Sequence, residues 1–343
     1  MNKTLIVGGD FGKAPKASSI INKLAALFEG CETVNGGSLE DLKSAADNCS
    51  EFELVLWMPN VSNEIEKHYP KKGRGAVLFC SKVLRENRNE VDAIARIFKM
   101  NGNAVLAIFQ TDNLFSFKLI DALGNKWSES YDLSEIAAKI KELTAWTEAS
   151  IRTASLQAEF DFPEAPAELE KLISLNRIVA DNFEAIGSRY FGNVSTRCMK
   201  MFPTMRLNTV YILVSKRNVD KKRLTAEDFV KVRYQDKIEY IGEAKPSVDT
   251  PIQLNIYRNF PRINYIIHGH GYIEGYVFTE HYYPCGDLRE YEEFSRFLKD
   301  DSGIINLINH GFVIYANHIN EMEKLIEEMK FMERPIGNEI PRL

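Results

Sequence analysis

The sequence predicts an α/β protein built from two domains. Short apolar runs alternate with amphipathic helical segments through the first half of the chain, a pattern typical of a parallel sheet with helices on both faces. An acidic stretch with two prolines, residues 160–166, then interrupts any helix and predicts a linker. A length of 343 residues also favours two domains. We expect a first domain at residues 1–156 and a second at 157–343.

Each element of the first domain follows from a local pattern. Apolar runs of strand length and helical spacing alternate in this order: strand Leu5–Gly9, helix Ser18–Phe28, strand Leu54–Met58, strand Ala76–Cys80, helix Glu90–Met100, strand Ala104–Phe109 and a long helix from Asp132 to about Ser155. These elements predict a flavodoxin-like or Rossmann-like domain, whose role the sequence does not reveal.

The turn after the first strand, Gly8-Gly9-Asp10-Phe11-Gly12, is rich in glycine. It does not match G-x-G-x-x-G, because position 10 is Asp, and it does not match a P-loop. A plain tight turn is one interpretation. A nucleotide or flavin site that regulates the second domain is the other, since open parallel sheets bind ligands at the carboxyl ends of their strands.

The second domain also shows both kinds of element. We expect a helix at Ala167–Ile186 that ends at Gly187, a strand at Val210–Val214, a helix that runs to Asn259 and a final helix at Asn320–Met332. The helix that runs to Asn259 opens with Pro246-Ser247-Val248-Asp249-Thr250-Pro251, in which Asp249 or Thr250 is a natural N-cap.

Two of the six histidines, His268 and His270, follow an apolar strand-like run. Residues i and i+2 of an extended strand share a face, so both imidazoles can reach one point. His310 lies in Asn309-His310-Gly311, again beside apolar runs. Three neutral imidazoles with one open position are a common way to hold catalytic zinc.

Four motifs in order carry a family resemblance. Gly192-Asn193-Val194-Ser195-Thr196-Arg197, Pro246-Ser247-Val248-Asp249, His268-Gly269-His270 and Asn309-His310-Gly311 follow the order and approximate spacing of the class II aldolase/adducin-head family, which includes fuculose-phosphate aldolase. The resemblance covers about residues 167–330. It implies a class II aldolase-like α/β/α domain, a homo-oligomer, commonly a tetramer, and Zn²⁺ or another divalent metal on His268, His270 and His310.

The resemblance also implies roles for other residues. Gly192, Asn193 and Ser247 would bind the substrate near its phosphate, and a tyrosine, here Tyr282 or Tyr283, would donate a proton to the leaving aldehyde; we select Tyr283. Where the family has a Thr-Gly phosphate turn, this chain reads Ser215-Lys216-Arg217, and we place Ser215 at the substrate.

The family pattern Pro-Ser-Ser-Glu supplies the catalytic base, but this chain has Val248 and Asp249 at its last two positions. Asp249 is therefore either the base, an N-cap only or a residue beside the metal. Cys285 lies in a stretch rich in titratable groups, but a nucleophilic role would need His281 as its companion, and no sequence feature supports that pair.

The resulting prediction is a zinc-dependent carbon–carbon lyase that acts on a small phosphorylated or acidic sugar through an enediolate. An epimerase or dehydratase on the same site is one alternative. A non-catalytic interaction module like the adducin head is the other.

Composition sets outer limits on function. A net charge of −5 gives no nucleic-acid-binding surface. Five irregularly spaced cysteines do not resemble a disulfide framework and favour a reducing compartment. No apolar run reaches transmembrane length, and no signal-peptide pattern opens the chain. We expect a cytoplasmic protein with a small-molecule partner and neither a nucleic-acid nor a membrane partner.

Overall fold

A computed structural model describes residues 3–13, 15–61, 77–84, 89–110, 114–152, 155–183, 190–198, 209–298 and 301–335. The chain forms two compact units, the first centred on Met1–Glu148 and the second on Ala149–Ala185 and Arg189–Arg334. Within the described residues, no helix is both long and apolar enough to cross a lipid bilayer.

The first unit contains seven strands and four helices within its described residues. They are β1 (Thr4–Gly8), α1 (Pro15–Ala25), β2 (Glu32–Asn35), α2 (Leu39–Asn48), β3 (Leu54–Trp57), β4 (Val77–Leu84), α3 (Glu90–Met100), β5 (Ala104–Gln110), β6 (Phe115–Asp121), β7 (Lys126–Ser130) and α4 (Leu133–Arg152). The strand order is β2-β1-β3-β4-β5-β6-β7.

The first five strands of this sheet are parallel, which confirms the predicted flavodoxin-like or Rossmann-like class. The sequence interpretation missed β2, β6 and β7. The last two extend the sheet in antiparallel pairing. Their turn is built around the buried Asp121 carboxylate, which accepts hydrogen bonds from the Leu123 and Asn125 amides at 2.8 and 3.0 Å and from Trp127 Nε1 at 3.0 Å. These contacts stabilise the turn that joins β6 to β7.

In the glycine-rich turn after β1, the Asp10 carboxylate occupies the backbone amides. Asp10 Oδ1 accepts the amide hydrogens of Gly12 and Lys13 at 3.0 and 3.3 Å, and Lys13 Nζ lies 3.1 Å from Asp10 Oδ2. The Phe11 amide donates to Asn35 Oδ1 at 3.2 Å. A phosphate group at these amides would therefore have to displace Asp10, which favours the plain-turn interpretation.

The second unit holds the remaining described elements. They are β8 (Leu156–Gln157), α5 (Leu169–Ala180), β9 (Asn193–Arg197), β10 (Val210–Ser215), β11 (Phe229–Tyr234), β12 (Ile238–Tyr240), α6 (Thr250–Asn259), β13 (Tyr265–Gly269), β14 (Tyr272–Ile273), α7 (Leu288–Phe294), β15 (Ser302–Leu307), β16 (Gly311–Ala316), α8 (Ile319–Glu328) and β17 (Phe331–Met332). Eight strands form one sheet in the order β15-β16-β13-β9-β10-β11-β12-β8.

This second sheet is covered on both faces. Apolar residues of α5 and α8 form one core with one side of the strands, and those of α6 and α7 form another core with the opposite side. Along β13, Tyr265 and Ile267 belong to the first core and Ile266 to the second, as strand alternation requires. The predicted α/β/α class of this domain is therefore confirmed.

Three details of the sequence interpretation differ from the structure. The final helix, predicted to run to Met332, ends at Glu328, and Phe331–Met332 form strand β17 instead. Helix α5 ends at Ala180 with Asp181 as its C-cap, so the prediction that it continues to Ile186 is wrong; Gly187, its predicted cap, lies outside the described residues. In the predicted linker, Phe162 packs edge-on against Tyr211 of β10, with ring centroids 5.8 Å apart. The linker thus packs an apolar side chain against the core of the second unit. The sequence suggests only that this stretch breaks a helix.

We expect Gly311→Ala to destabilise the protein by about 1–3 kcal/mol, the usual cost of overpacking. A Cβ at Gly311 would lie 2.9 Å from His270 Cα and would meet the backbone oxygen of Gly269. Rigid backbone cannot swing aside as a flexible side chain can, so β13 and β16 would have to separate.

Urea denaturation of wild type, Gly311→Ala and Gly12→Ala would test this expectation. A Cβ at Gly12 meets only Asp10 Oδ1, at 3.4 Å, so that control should remain close to wild type. Equal stabilities of the two variants would contradict the steric argument.

Candidate metal centre

The pairing of β13 with β16 brings the three predicted histidines together. These strands run antiparallel with His268 opposite Val313 and Gly269 opposite Phe312. His270 follows β13 and His310 precedes β16, so both lie at the same end of the pair. The ring centroids of His268, His270 and His310 are 4.8–5.0 Å apart, and one ring nitrogen from each lies within 4.8 Å of the others.

Backbone and carboxylate contacts orient two of these rings. His268 Nδ1 lies 2.8 Å from the Phe312 carbonyl oxygen, an acceptor, so Nδ1 carries the hydrogen and Nε2 keeps a free lone pair. His310 Nδ1 lies 2.5 Å from Glu290 Oε1. Metal-binding histidines are commonly oriented in this way through their second nitrogen. Nε2 is therefore the nitrogen that each of these two rings can offer to a metal.

The third ring is oriented differently. His270 Nε2 lies 3.0 Å from His268 Nε2, and its imidazole stacks on Phe191 with ring centroids 4.8 Å apart. Its buried Nδ1 has no hydrogen-bond partner among the described residues. Stacking on Phe191 and the contact with His268 therefore orient this ring, whereas hydrogen bonds through Nδ1 orient the other two.

Burial controls the charge of the histidines. It lowers the pKa of His268 to about 4 and that of His270 well below its ordinary value, with neighbouring histidines adding to the effect. Burial also opposes protonation of His310, but the Glu290 carboxylate and Cys285 outweigh it and hold that pKa well above its ordinary value. Neutral imidazoles are the form that binds metals, so His268 and His270 are prepared for this role.

Asp249 lies beside the histidines and is 8% exposed. It occupies the N-cap position of α6, yet its side chain makes no capping hydrogen bond, so the interpretation of Asp249 as a cap only is wrong. Oδ2 accepts a hydrogen bond from Asn193 Nδ2 at 2.9 Å and lies 3.9 Å from His268 Nε2. Oδ1 is buried with no hydrogen-bond partner in the described part of the chain. One carboxylate oxygen is thus fixed, and the other can accept a proton or a cation.

The far end of α6 is tied to the same sheet. Arg197 of β9 donates to the carbonyl oxygens of Tyr257, Phe260 and Ile263, at 2.5, 3.2 and 3.1 Å. A cation at the carboxyl end of a helix complements the helix dipole. This contact holds α6 at one end, while Asn193 of the same strand holds Asp249 at the other.

The residues predicted to bind substrate mostly make internal contacts. Gly192, at φ +79°, lies against the His268 carbonyl, where a Cβ would clash. Asn193 donates to Asp249 and accepts from Gln253 Nε2. The buried Ser215 Oγ accepts the Val194 amide hydrogen at 3.3 Å, and Ser247 Oγ accepts that of Asp249 at 3.4 Å.

Tyr283 lies in a separate cluster. The Arg289 guanidinium is 5.3 Å from its ring centroid, and the His281 ring centroid is 6.5 Å away. Glu293 Oε2 lies 3.2 Å from His281 Nδ1. These neighbours are outside the histidine triad, and a proton-donating role for Tyr283 stays a prediction.

The sequence analysis did not place Glu290 or Cys285 at the histidine cluster. Glu290 is 3% exposed and contacts His310 from α7, but it lies twenty positions away in an ordinary acidic helix turn. Cys285 Sγ lies 3.4 Å from His310 Nε2. Its histidine neighbour is therefore His310, where sequence proximity suggested His281. Neither contact leaves a signal in local spacing.

A small cavity lies beneath the histidines on the α6 and α7 side of the sheet. Its lining combines an apolar wall with five polar side chains: Asp249, Gln253, His268, Glu290 and His310. The fold and this cluster together define an α/β domain with a candidate metal centre at its strand ends.

Comparison with known proteins gives a family match. Residues 170–273 match the family model described as the Class II Aldolase and Adducin N-terminal domain. This match supports the resemblance of the second unit to the class II aldolase/adducin family. No curated protein sequence matches the chain.

Two solved structures are similar to parts of the chain. YgbL from Klebsiella pneumoniae is 20% identical over 46% of this chain and 83% of its own, with a TM-score of 0.35. The N-terminal class II aldolase domain of a conserved protein from Thermoplasma acidophilum is 13% identical over 50% of this chain and 95% of its own, with a TM-score of 0.36. Because both TM-scores are low, the family assignment rests on the sequence match.

Lys221 gives this unit a characteristic pH dependence of stability. The side chain is 6% exposed and donates to the Val219 carbonyl oxygen at 2.9 Å; burial lowers its pKa from 10.5 to about 8. At a pH between 8 and 10.5, the Lys221 amine is protonated in the unfolded chain and neutral in the folded chain. Raising the pH from 8 to 10.5 therefore stabilises the folded protein through this group.

We expect this contribution to be missing in Lys221→Met. Urea denaturation of both proteins at several pH values from 7 to 11 would measure it. The wild type should gain free energy of unfolding relative to the variant as pH rises through that window. Parallel curves for the two proteins would contradict the assignment.

Proposed function

We propose that the second unit is a zinc-dependent carbon–carbon lyase that makes or breaks an aldol bond in a small phosphorylated or acidic sugar. The observation that carries this proposal is the convergence of three imidazole nitrogens, from His268, His270 and His310, within 4.8 Å of one another. The match to the class II aldolase/adducin family supports the reaction type.

The donor set suits zinc. Zinc favours nitrogen and sulfur donors in a tetrahedral arrangement, and three protein ligands leave a position for substrate. The hydrogen bonds at Nδ1 already orient the rings of His268 and His310, so these side chains need little movement to bind the ion. When bound there, the ion would act as a Lewis acid towards sugar oxygens on which negative charge builds.

Asp249 is the residue we assign to proton transfer. Asn193 Nδ2 holds the side chain through Oδ2, and Ser247 Oγ accepts the Asp249 backbone amide hydrogen, while the buried Oδ1 has no hydrogen-bond partner among the described residues. A carboxylate in a dry site with one free oxygen can remove a proton from a carbon next to a carbonyl group. The low exposure of Asp249 also excludes bulk water, which would otherwise compete for that proton.

A homo-oligomer, a cytoplasmic location and a sugar-phosphate partner stay predictions. An epimerase or dehydratase would use the same residues, since both also begin with proton removal next to a carbonyl group. A screen with dihydroxyacetone phosphate and assorted aldehydes would test the lyase directly. Product formation supports the lyase, whereas inversion of a sugar phosphate without cleavage would support the epimerase.

We expect near-stoichiometric zinc in the purified wild-type protein and its loss in His270→Ala. Elemental analysis after gel filtration measures both. His281→Ala is the matched control, because His281 lies in the separate cluster with Glu293 and its removal should leave zinc bound. Metal-free wild-type protein with a normal fold would contradict the proposal and support a non-catalytic interaction module.

Glu290→Gln should weaken zinc binding about 10- to 100-fold, the usual effect of changing a residue that orients a metal ligand. Competition with a chromophoric chelator gives the affinity. Glu293→Gln is the control: Glu293 lies on the same helix and is also buried, but its carboxylate contacts the His281 region. Equal affinities for the two variants would exclude an orienting role for Glu290.

Asp249→Asn should lower kcat about 10²- to 10⁴-fold, the range for loss of a general base, and should leave zinc content unchanged. Steady-state kinetics together with elemental analysis separate the two roles. Loss of zinc in this variant would show that Asp249 is a metal ligand instead of the base.

A further inference from the structure

A tight turn delivers Cys285 to the metal centre. Between β14 and α7, the Asp287 amide donates to the Pro284 carbonyl oxygen at 3.1 Å. Gly286 adopts φ +80°, and a Cβ there would lie 2.8 Å from the Val248 carbonyl oxygen. This close approach needs glycine. It holds Cys285 beside the residue that precedes Asp249.

Cys285 and Glu290 approach His310 from opposite sides of its ring. Glu290 Oε1 contacts Nδ1 at 2.5 Å, and Cys285 Sγ lies 3.4 Å from Nε2. Because Glu290 holds Nδ1, Nε2 is the His310 nitrogen left for the candidate metal site with His268 and His270. The sulfur therefore lies on the metal-facing side of the ring.

The environment of Cys285 differs from that of ordinary core cysteines. The thiols of Cys49 and Cys80 donate to backbone carbonyl oxygens, at 3.2 and 3.5 Å. Cys285 Sγ instead has an imidazole nitrogen as its neighbour, and Sγ, His310 and an Asp249 oxygen all lie within 4.8 Å of one another. Cysteine, histidine and aspartate are all metal-binding residue types.

A second observation points to a cation at this position. Asp249 is 8% exposed, and its Oδ1 has no hydrogen-bond partner among the described residues. Burial of a carboxylate oxygen without a partner is costly unless a cation or a donor satisfies it. A sulfur, a ring nitrogen and a carboxylate oxygen thus lie together at His310, the residue that this group shares with the histidine triad.

We propose that Cys285 is a fourth metal-binding residue, whose thiolate joins His268, His270 and His310 on a single divalent ion. Binding releases the thiol proton to solvent. This inference rests on the proposed function and deepens it, because a sulfur donor favours zinc or cobalt over magnesium or manganese. It also means that a sugar oxygen has to compete with a protein thiolate for the open position of the metal.

Cobalt(II) substitution tests the proposal without an activity assay. A thiolate on cobalt gives an intense near-ultraviolet charge-transfer band, while histidine ligands alone give only weaker visible d–d bands. We expect wild-type protein titrated with cobalt(II) to show both kinds of band. Cys285→Ser should lose the charge-transfer band and keep the d–d bands.

Cys31→Ser is the matched control, because Cys31 is also a half-buried free thiol but lies in the first unit, where its sulfur contacts the Glu32 carbonyl oxygen. It should keep both bands. X-ray absorption on the zinc-loaded wild type should add one Zn–S distance of about 2.3 Å to Zn–N distances of about 2.0–2.1 Å.

The outcomes separate this inference from the proposed function. Visible d–d bands without a charge-transfer band in wild type would contradict metal binding by Cys285 and would leave the three-histidine site intact. A charge-transfer band that persists in Cys285→Ser would also overturn it. No cobalt or zinc binding by folded wild type would overturn both proposals. Circular dichroism of Cys285→Ser and Cys285→Ala establishes that the variants are folded.

Discussion

The contact between the backbones of β13 and β16 is the constraint on which the candidate metal centre depends. His270 and His310 are forty residues apart in the chain, and only the antiparallel register of these two strands puts them at one end of a strand pair. Gly311 permits the close approach, because any Cβ there would meet the Gly269 and His270 backbone. The hydrogen bond from His268 to the Phe312 carbonyl oxygen uses the same pairing, since Phe312 lies opposite Gly269. One strand register thus sets both ligand position and ligand orientation.

Around this strand pair, a buried polar network holds the reacting groups in place. Asn193 of β9 lies opposite His268 in the sheet and donates to Asp249 of the neighbouring helix. Arg197 of the same strand holds the other end of that helix. Buried polar groups are costly when unsatisfied, and at this centre Asp249 Oδ1 and His270 Nδ1 are buried without a hydrogen-bond partner among the described residues. The short reach of Asp249, one methylene less than glutamate, is compatible with this network because α6 begins at Thr250, right beside the sheet.

The first unit has the fold of many nucleotide-binding domains, but its glycine-rich turn argues against a phosphate site. Its five parallel strands match a fold that often binds nucleotides, yet fold does not determine function. At the turn after β1, the Asp10 carboxylate already accepts the amide hydrogens that would meet a phosphate. The glycine-rich sequence is therefore explained by a local turn that satisfies its own donors, and the chemistry we propose lies within the second unit.

The sequence by itself determined the layers of both units, the three histidines and the family resemblance of the second unit. Strand and helix periodicity is local, and short motifs keep their residue types, so a linear pattern is enough to find them. The sequence missed β6 and β7, because a buried Asp121 stabilises their turn, and it placed the end of α5 too late. Only the tertiary structure decided that Asn193 holds Asp249, that Glu290 orients His310 and that Cys285 is a neighbour of His310. These are contacts between side chains far apart in the chain, and their geometry depends on strand register and helix packing, which no local pattern encodes.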